Sequence, residues 1–291
     1  MARNSSLTQK SAYRILAAIT ALLIGLASLQ LANHTALAQT VPAVPVAYDS
    51  LTNTIYIGAN YNSSDPAQKP YVNYPSHPDA PKSPITLPEV DAALTALGHP
   101  DLIVNNGGNV WTLKANTVIS QTARLDLTSA TLGVLRLDST VPPGGTLGVT
   151  KIVARGGHLN INGIRLYSWD ANSPEPEGYD TNVSDGRSFL LAERGGRMDI
   201  IDSEISHLGY SPGEPSGLSW RKTATSGDPR DPNVIRTGAT GSVLRSNVHD
   251  NYFGQYSYEA YGLVIRESEF HHNLYYGIDP HDYSSGFEVA F

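Results

Sequence analysis

The sequence contains no cysteine. Disulfides and thiolate metal sites are therefore excluded, and the fold must be held by burial of apolar surface. With 40% hydrophobic residues the chain has the material for such a core. Charge is sparse, at 16% of residues, and its balance is negative, −7 for the whole chain. A partner with a phosphate backbone needs a basic face, so this balance argues against nucleic acid. Apolar runs of membrane-spanning length, ~20 residues, are missing beyond the first 38 residues.

Those first 38 residues read as an export signal. Arg3, Lys10 and Arg14 make a positive start, an apolar stretch runs from Ile15 to Ala32, and Ala36-Leu37-Ala38 gives small residues at the cleavage positions. Cleavage before Gln39 leaves 253 residues, and losing the three basic residues takes the net charge from −7 to −10. Without cleavage the same stretch would serve as an anchor; either way the body is expected outside the cytoplasm, periplasmic or secreted. Sequons at Asn62 and Asn182 matter only in a glycosylating host. The expected organisation is a signal peptide over 1–38, an irregular N-terminal cover over 39–85 with a strand-like piece at Leu51–Ile57, and a β-domain over 86–291.

Helical periodicity is convincing at one place, Pro88–Leu97. There Val90, Ala93, Leu94 and Leu97 fall on one face, Pro88 suits a first turn and Gly98 a stop. After Asn109 short alternations take over, Trp111-x-Leu113, Leu125-x-Leu127, Leu135-x-Leu137, Leu159-x-Ile161, Met198-x-Ile200, Leu263-x-Ile265 and Phe287-x-Val289. Period-two runs this short, bounded by Gly, Asn, Asp and Ser, are strands.

The strands repeat. Ser246-Asn247-Val248-His249-Asp250-Asn251 aligns with Ser268-Glu269-Phe270-His271-His272-Asn273, position 246 falling on position 268, and Asp202–His207 fits the same template. Asn162-Gly163-Ile164 fits more weakly, which places Ile164, Ile205, Val248 and Phe270 at intervals of 41, 43 and 22. The two longer intervals are either two units each or one unit with an insertion, at 170–187 and 211–239. A unit of about 22 residues with several short strands is one coil of a parallel β-helix, whose inward side chains are buried only by stacking on neighbours. A leucine-rich repeat would need its Leu/Asn consensus, and a β-sandwich would not repeat at a fixed short period. The recurring Asn251 and Asn273 suit either an amide ladder at a corner or a left-handed turn position.

Chemistry concentrates in Asn273–Ser284. Tyr276, Asp279, His281 and Asp282 stand close together there, and Pro280 biases Asp279 toward an extended conformation. In an extended segment Asp279 and His281 project to one face. Tyr276 has the opposite parity, and Gly277 permits a bend that brings it round. The plain alternative is a polar turn; a metal site from Asp279, His281 and Asp282 is a third reading. His249, His271 and His272 sit at repeat positions and read as architectural.

Residues 190–284 resemble the periplasmic mannuronan C5-epimerases of alginate biosynthesis, with similarity over most of 85–291. The resemblance rests on Gly196-Arg197-Met198-Asp199-Ile200 through Ser206-His207-Leu208-Gly209-Tyr210, on Asp250-Asn251-Tyr252-Phe253-Gly254 with Tyr256-Ser257-Tyr258-Glu259-Ala260, and above all on Tyr276-Gly277-Ile278-Asp279-Pro280-His281-Asp282. It implies a right-handed parallel β-helix with a groove for an acidic polysaccharide, polymannuronate or alginate. It implies epimerisation of β-D-mannuronate to α-L-guluronate within the chain, with His281 as base and Asp279 and Tyr276 beside it. The polymer's export machinery is the further partner it suggests. No cofactor or metal is expected, and the Asp/Gly-rich nonapeptide repeat that binds calcium is absent. Two departures stand out: Tyr283 follows the motif where the family commonly has arginine, and the family continues past the position of Phe291 for several coils, one of which supplies an arginine for the substrate carboxylate. The expectation is a β-helix incomplete at its C-terminal end.

The chemistry asks for such residues. The proton at C5 lies α to a carboxylate and is very weakly acidic, so a base must reach it and the growing charge must be stabilised. Imidazole suits a base near neutrality. Asp279 or Asp282 would hold the ring, and Tyr276 or a water would return a proton to the other face. A lyase shares the first step and then expels the glycosidic oxygen, so a β-helix lyase is the alternative activity, and a non-catalytic carbohydrate-binding β-helix the alternative without chemistry. Tyr256 and Tyr258 share a parity and are the expected sugar contacts. Arg221, Lys222, Arg236, Arg245 and Arg266 are the candidate cations.

Overall fold

The structure, a computed structural model, describes residues 44–58, 83–120, 123–141, 149–211, 216–221 and 238–291. The expected leader, the Asn62 sequon, Lys222 and Arg236 lie outside the described residues.

Three sheets run along the molecule. The first holds β1 (Val46–Asp49), β2 (Thr54–Ile57), β6 (Asn116–Ile119), β9 (Lys151–Arg155), β12 (Phe189–Glu193), β15 (Gly217–Arg221), β18 (Phe253–Tyr258) and β21 (Ile278–His281), in that order. The second holds β3 (Ser83–Thr86), β7 (Ala123–Thr128), β10 (His158–Asn162), β13 (Arg197–Ile201), β16 (Thr240–Leu244), β19 (Val264–Arg266) and β22 (Glu288–Ala290). The third holds β4 (Ile103–Asn105), β5 (Val110–Leu113), β8 (Val134–Asp138), β11 (Arg165–Trp169), β14 (Glu204–Ser206), β17 (Asn247–His249) and β20 (Glu269–His271). The chain visits first, second and third sheet in turn from β9 onward, and successive visits pair in parallel, whereas β1–β2 and β4–β5 are antiparallel. This is the parallel β-helix expected of the sequence, wound in the right-handed sense that parallel crossovers adopt.

The alternating residues decide the inside. In the second sheet Leu127, Ile161, Ile200, Val243, Ile265 and Val289 stack in register, and in the third Leu135, Leu166, Ile205, Val248 and Phe270 do the same. All but Val289 and Phe270 are essentially inaccessible. Each such side chain contributes about 1.5–3 kcal/mol of burial, and none is buried without the coil above or below it. The expected role of Ile164 is thereby corrected. Leu166 is the residue in register with Ile205, and the Ile164 N–H instead donates to Ser203 Oγ at 3.3 Å. The long intervals are also resolved, since β11, β14 and β17 are consecutive rungs, each interval being one coil plus an insertion.

Among the described residues of the expected N-terminal cover, the strand-like piece at Leu51–Ile57 holds β2, and β1 and β3 are further strands. β2 pairs in parallel with β6 and β3 with β7, because Ile55, Ile57 and Ile85 are inward-facing and start the core. Helix α1 (Leu87–Ala96) follows, with the Thr86 N–H donating to Glu89 Oε2 at 2.8 Å. It buries Leu87, Val90 and Leu94. Leu97, expected on that face, is 53% exposed, because it falls beyond the last helical residue, at the cap.

Candidate functional site

The outer face of the first sheet changes character along its length. On the early rungs it is apolar and covered, with Tyr56, Val118, Val153, Phe189 and Leu191 forming a small core of their own. From β15 to β21 the same face carries Ser219 and Arg221, then Tyr256 and Tyr258, then Asp279 and His281.

β21 is fixed by two devices. Ile278 packs partly into the core, and the Asp279 N–H donates to the side chain of the fully buried Gln255 at 3.1 Å. The strand's period of two then sends Asp279 and His281 outward together. Asp279 stands in register with Tyr256, and His281 with Tyr258 and, one rung further, Arg221. The imidazole lies between two carboxylates, with Nδ1 at 4.0 Å from Asp279 Oδ1 and Nε2 at 3.9 Å from Asp282 Oδ2. Both separations exceed a hydrogen bond, so neither carboxylate is bonded to the ring. The ring is half exposed, whereas Asp279 is 20% exposed. Tyr256 and Tyr258 flank it at ring-centroid distances of 5.8 and 6.4 Å.

The structure thus brings Asp279, His281, Asp282, Tyr256 and Tyr258 together. Tyr276 lies in the turn before β21. Its ring contacts are with Phe253 at 5.7 Å and Tyr275 at 6.5 Å, and Phe253 in turn meets Tyr256 at 5.6 Å. The expected bend at Gly277 therefore leaves Tyr276 on the aromatic corner beside the site and joined to it through Phe253. Phe253 was legible only as a member of the motif at Asp250–Gly254, and no feature of the sequence marked Gln255, since the place of each depends on the register between coils.

The candidate cations separate by position. Arg221 carries its guanidinium 4.6 Å over the Tyr256 ring and donates to Ser216 Oγ at 3.0 Å. Arg245 pairs with Asp202 at 2.7 Å and Arg266 pairs with Glu288, both along the second sheet. Burial pushes the Tyr256 phenol above its ordinary value; Arg221 opposes this shift, and Asp279 and Asp282 add to it. The phenol therefore senses the charged groups on both sides of it.

The histidines at repeat positions form a ladder on the third sheet. His249 and His271 stack at 5.0 Å with their planes 1° apart, and His249 Nδ1 bonds to Asp250 at 2.6 Å. His207 stacks on Tyr179 at 4.5 Å, and burial pushes its imidazole down to about 4. Among the described residues no three His, Asp or Glu side chains are arranged to hold a metal ion.

No protein-family model matches the chain. A mannuronan C5-epimerase of Pseudomonas aeruginosa is 29% identical over 170 residues, which is 54% of this chain and 31% of that protein. The mannuronan C5-epimerase AlgG of Azotobacter vinelandii is 30% identical over 170 residues, 54% of this chain and 32% of that one. Among solved structures, the crystal structure of the periplasmic alginate epimerase AlgG superposes with a TM-score of 0.57 at 19% identity, covering 80% of this chain and 46% of that chain. A double mutant of AlgG gives a TM-score of 0.60 at 17% identity, covering 88% and 58%. The chain spans about a third of the length of the curated relatives it matches. It is similar to mannuronan C5-epimerases in sequence, and it has the β-helix fold of AlgG.

Proposed function

We propose that this chain epimerises β-D-mannuronate to α-L-guluronate at C5 within a polymannuronate chain. The observation that carries the reading is the outward imidazole of His281 held between Asp279 and Asp282 on an open strip of β-helix surface, beside two tyrosines. Its support from outside the structure is the similarity to mannuronan C5-epimerases across more than half of the sequence.

The strip accepts a sugar ring against Tyr256 and Tyr258, with C5 toward His281. The imidazole takes the C5 proton. Asp279 and Asp282 favour the imidazolium that results, their separations from the ring closing to hydrogen-bond length when the sugar excludes water. Tyr276 is the group assigned to return a proton to the opposite face of C5, which inverts the centre. The chain is assigned to the periplasm or the cell exterior, on the strength of its leader-like first 38 residues and of a structural relative described as periplasmic. Assembly with polymer-export machinery belongs to the same reading.

Incubation of polymannuronate with the protein in deuterated water, followed by proton NMR, tests the proposal. Guluronate signals with deuterium at C5 are expected. Substituting His281→Ala lowers the rate by about a hundredfold or more, and Tyr276→Phe slows product formation. An unsaturated, ultraviolet-absorbing sugar would identify a lyase instead, and retention of polymer without exchange a binding protein. Full activity in His281→Ala would remove that residue as the base, and full activity in Tyr276→Phe would give the returning proton to a water.

A further inference from the structure

Beside the site stands an aromatic corner, of which the proposed reaction uses only Tyr276. Tyr252 leads into β18, which begins at Phe253, and Leu274, Tyr275 and Tyr276 lead into β21 one rung on. The backbone lays the second turn on the first. The Leu274 N–H donates to Asn251 O at 2.9 Å and the Tyr275 N–H to Tyr252 O at 3.0 Å. The side chains follow. The Tyr275 ring lies 15° from the plane of Phe253 at 5.6 Å and 44° from that of Tyr252 at 4.8 Å, and its phenol is hydrogen-bonded to that of Tyr252.

Pinned in this way, Tyr275 is still 62% exposed. Its rotamer freedom is spent before a ligand arrives, and the surface it offers is aromatic and open. Exposed apolar surface in a contiguous patch marks a binding face. No residue from Asn251 to Gly254 or from Asn273 to Ile278 is charged. The corner therefore suits the flat apolar face of a ligand and offers no cation to a carboxylate.

A pyranose has such a face. In β-D-mannuronate the hydrogens on C1, C3 and C5 lie on one side of the ring, and the carboxylate projects from the rim, where it stays in water while that side is stacked. The corner is also joined to the site. Ring to ring, Tyr256 is 5.8 Å from His281, Phe253 is 5.6 Å from Tyr256, and Tyr275 is 5.6 Å from Phe253. Each step is close to the length of one unit in an extended chain, so Tyr275 stands within three units of the reacting one.

We propose that Tyr275 binds the polymer by stacking on the C–H face of a mannuronate two or three units from the one at His281. The inference rests on the epimerase reading and deepens it. It gives the polymer a direction, along β18 and β21 from Tyr258 past Tyr256 and Phe253 to the corner.

Mannuronate hexamer is the probe, with Kd from calorimetry and kcat and KM from C5 deuterium exchange. Tyr275→Ala is expected to raise Kd and KM by about tenfold and to change kcat by no more than about twofold. Tyr275→Phe keeps the ring without the phenol and is expected to bind within about twofold of the parent. Equal hexamer binding by the parent and Tyr275→Ala would overturn the inference. So would binding by Tyr275→Phe as weak as by Tyr275→Ala, which would trace the loss to the hydrogen bond. A fall in kcat at constant KM would place the effect on the reacting groups and overturn it too. Sedimentation tests a second copy as the occupant: a parent dimer dissolved by Tyr275→Ala at unchanged hexamer Kd would give the corner to self-association instead. If Tyr275→Ala fails to fold by circular dichroism, Tyr275→Gln carries the same comparison. A parent that binds the hexamer without exchange, beside a weakened Tyr275→Ala, would keep the stacking contact and sink the epimerase reading. A parent that exchanges normally beside an indifferent Tyr275→Ala sinks this inference alone, and a parent that neither binds nor exchanges sinks both.

Discussion

At the scale of single residues, a carboxyl group sits where its charge is poorly tolerated. Asp180 is 2% exposed and accepts hydrogen bonds from Ser139 Oγ at 2.5 Å, Ser168 Oγ at 3.3 Å and the Asn182 N–H at 3.1 Å. Burial pushes its pKa up to about 6; hydrogen bonds from Ser139 and Asn182 and the nearby Arg187 only partly offset the effect. An acid whose folded value is raised stabilises the fold fully below its unfolded value, near 4, and that contribution is lost as pH rises through about 6. Asp180→Asn keeps one of the two acceptor oxygens, turned to the Asn182 N–H while the serine hydroxyls reorient toward the amide nitrogen, and has no charge to bury. It is expected to be about 2 kcal/mol more stable than the parent at pH 8, with no difference at pH 4. Urea unfolding at the two values checks this, and a variant less stable than the parent at pH 8 would refute it. Nothing in the sequence announced the site. Asp180 belongs to the stretch 170–187, which reads as a polar insertion, and its burial follows from the folding of that stretch back against Ser168 of the strand it leaves and Ser139 of the coil before.

Individual elements are joined by side chains as well as by strands. Asn251 Oδ1 accepts the Leu208 N–H at 2.9 Å, and Asn273 Oδ1 accepts the Asn251 N–H at 3.1 Å. The amide nitrogens donate back to Ile205 O and Val248 O at 3.3 and 3.1 Å. The ladder reading of these asparagines is therefore correct. The left-handed positions belong to their predecessors Asp250 and His272, with φ of 55° and 52°. A serine ladder runs beside it, as the N–H groups of Ile164, Ser203 and Ser246 bond to Oγ of Ser203, Ser246 and Ser268. Asn251 is fully buried, so Asn251→Ala leaves the Leu208 N–H and Ile205 carbonyl without these partners. The expected cost is about 2–4 kcal/mol, read as a shift in the urea midpoint; a cost under about 0.5 kcal/mol would mean that the backbone finds other partners. The match of Asn251 with Asn273 across one repeat made the recurrence visible in the sequence. It could not say whether the amide or the backbone angle was the reason for the repetition, because both demands select asparagine.

Over the whole molecule, the interior is a set of columns, and columns of small residues must be matched by large ones. Ala154, Ala192, Trp220 and Ser257 share one inward column of the first sheet. The indole of Trp220 is fully buried, and Gly241 of the second sheet makes room for it. A Cβ at Gly241 would come within 2.9 Å of Trp220 Nε1 and 1.8 Å of Met198 O, at a φ of 154°. Trp220→Ala empties the largest fully buried side chain of the described core and is expected to cost about 3–5 kcal/mol. Thermal and urea unfolding measure it, and a cost below about 1 kcal/mol would mean that the neighbouring coils collapse into the space.

The sequence alone determined the class of fold, because strand alternation and a short fixed repeat are local patterns that composition cannot imitate. It also determined that Asp279 and His281 face one way, since that follows from the period of a strand. The tertiary structure decided which distant residues join them. Arg221, Tyr258 and His281 are far apart in the chain and stand in one column. That column depends on how much of the chain each insertion removes from the winding, and insertions carry no periodic signal. Lateral pairing of coils is a contact between segments remote in sequence, so only the folded chain fixes its register. For the same reason Arg221 was one cation among five in the sequence and is the one on the site's own face in the described structure.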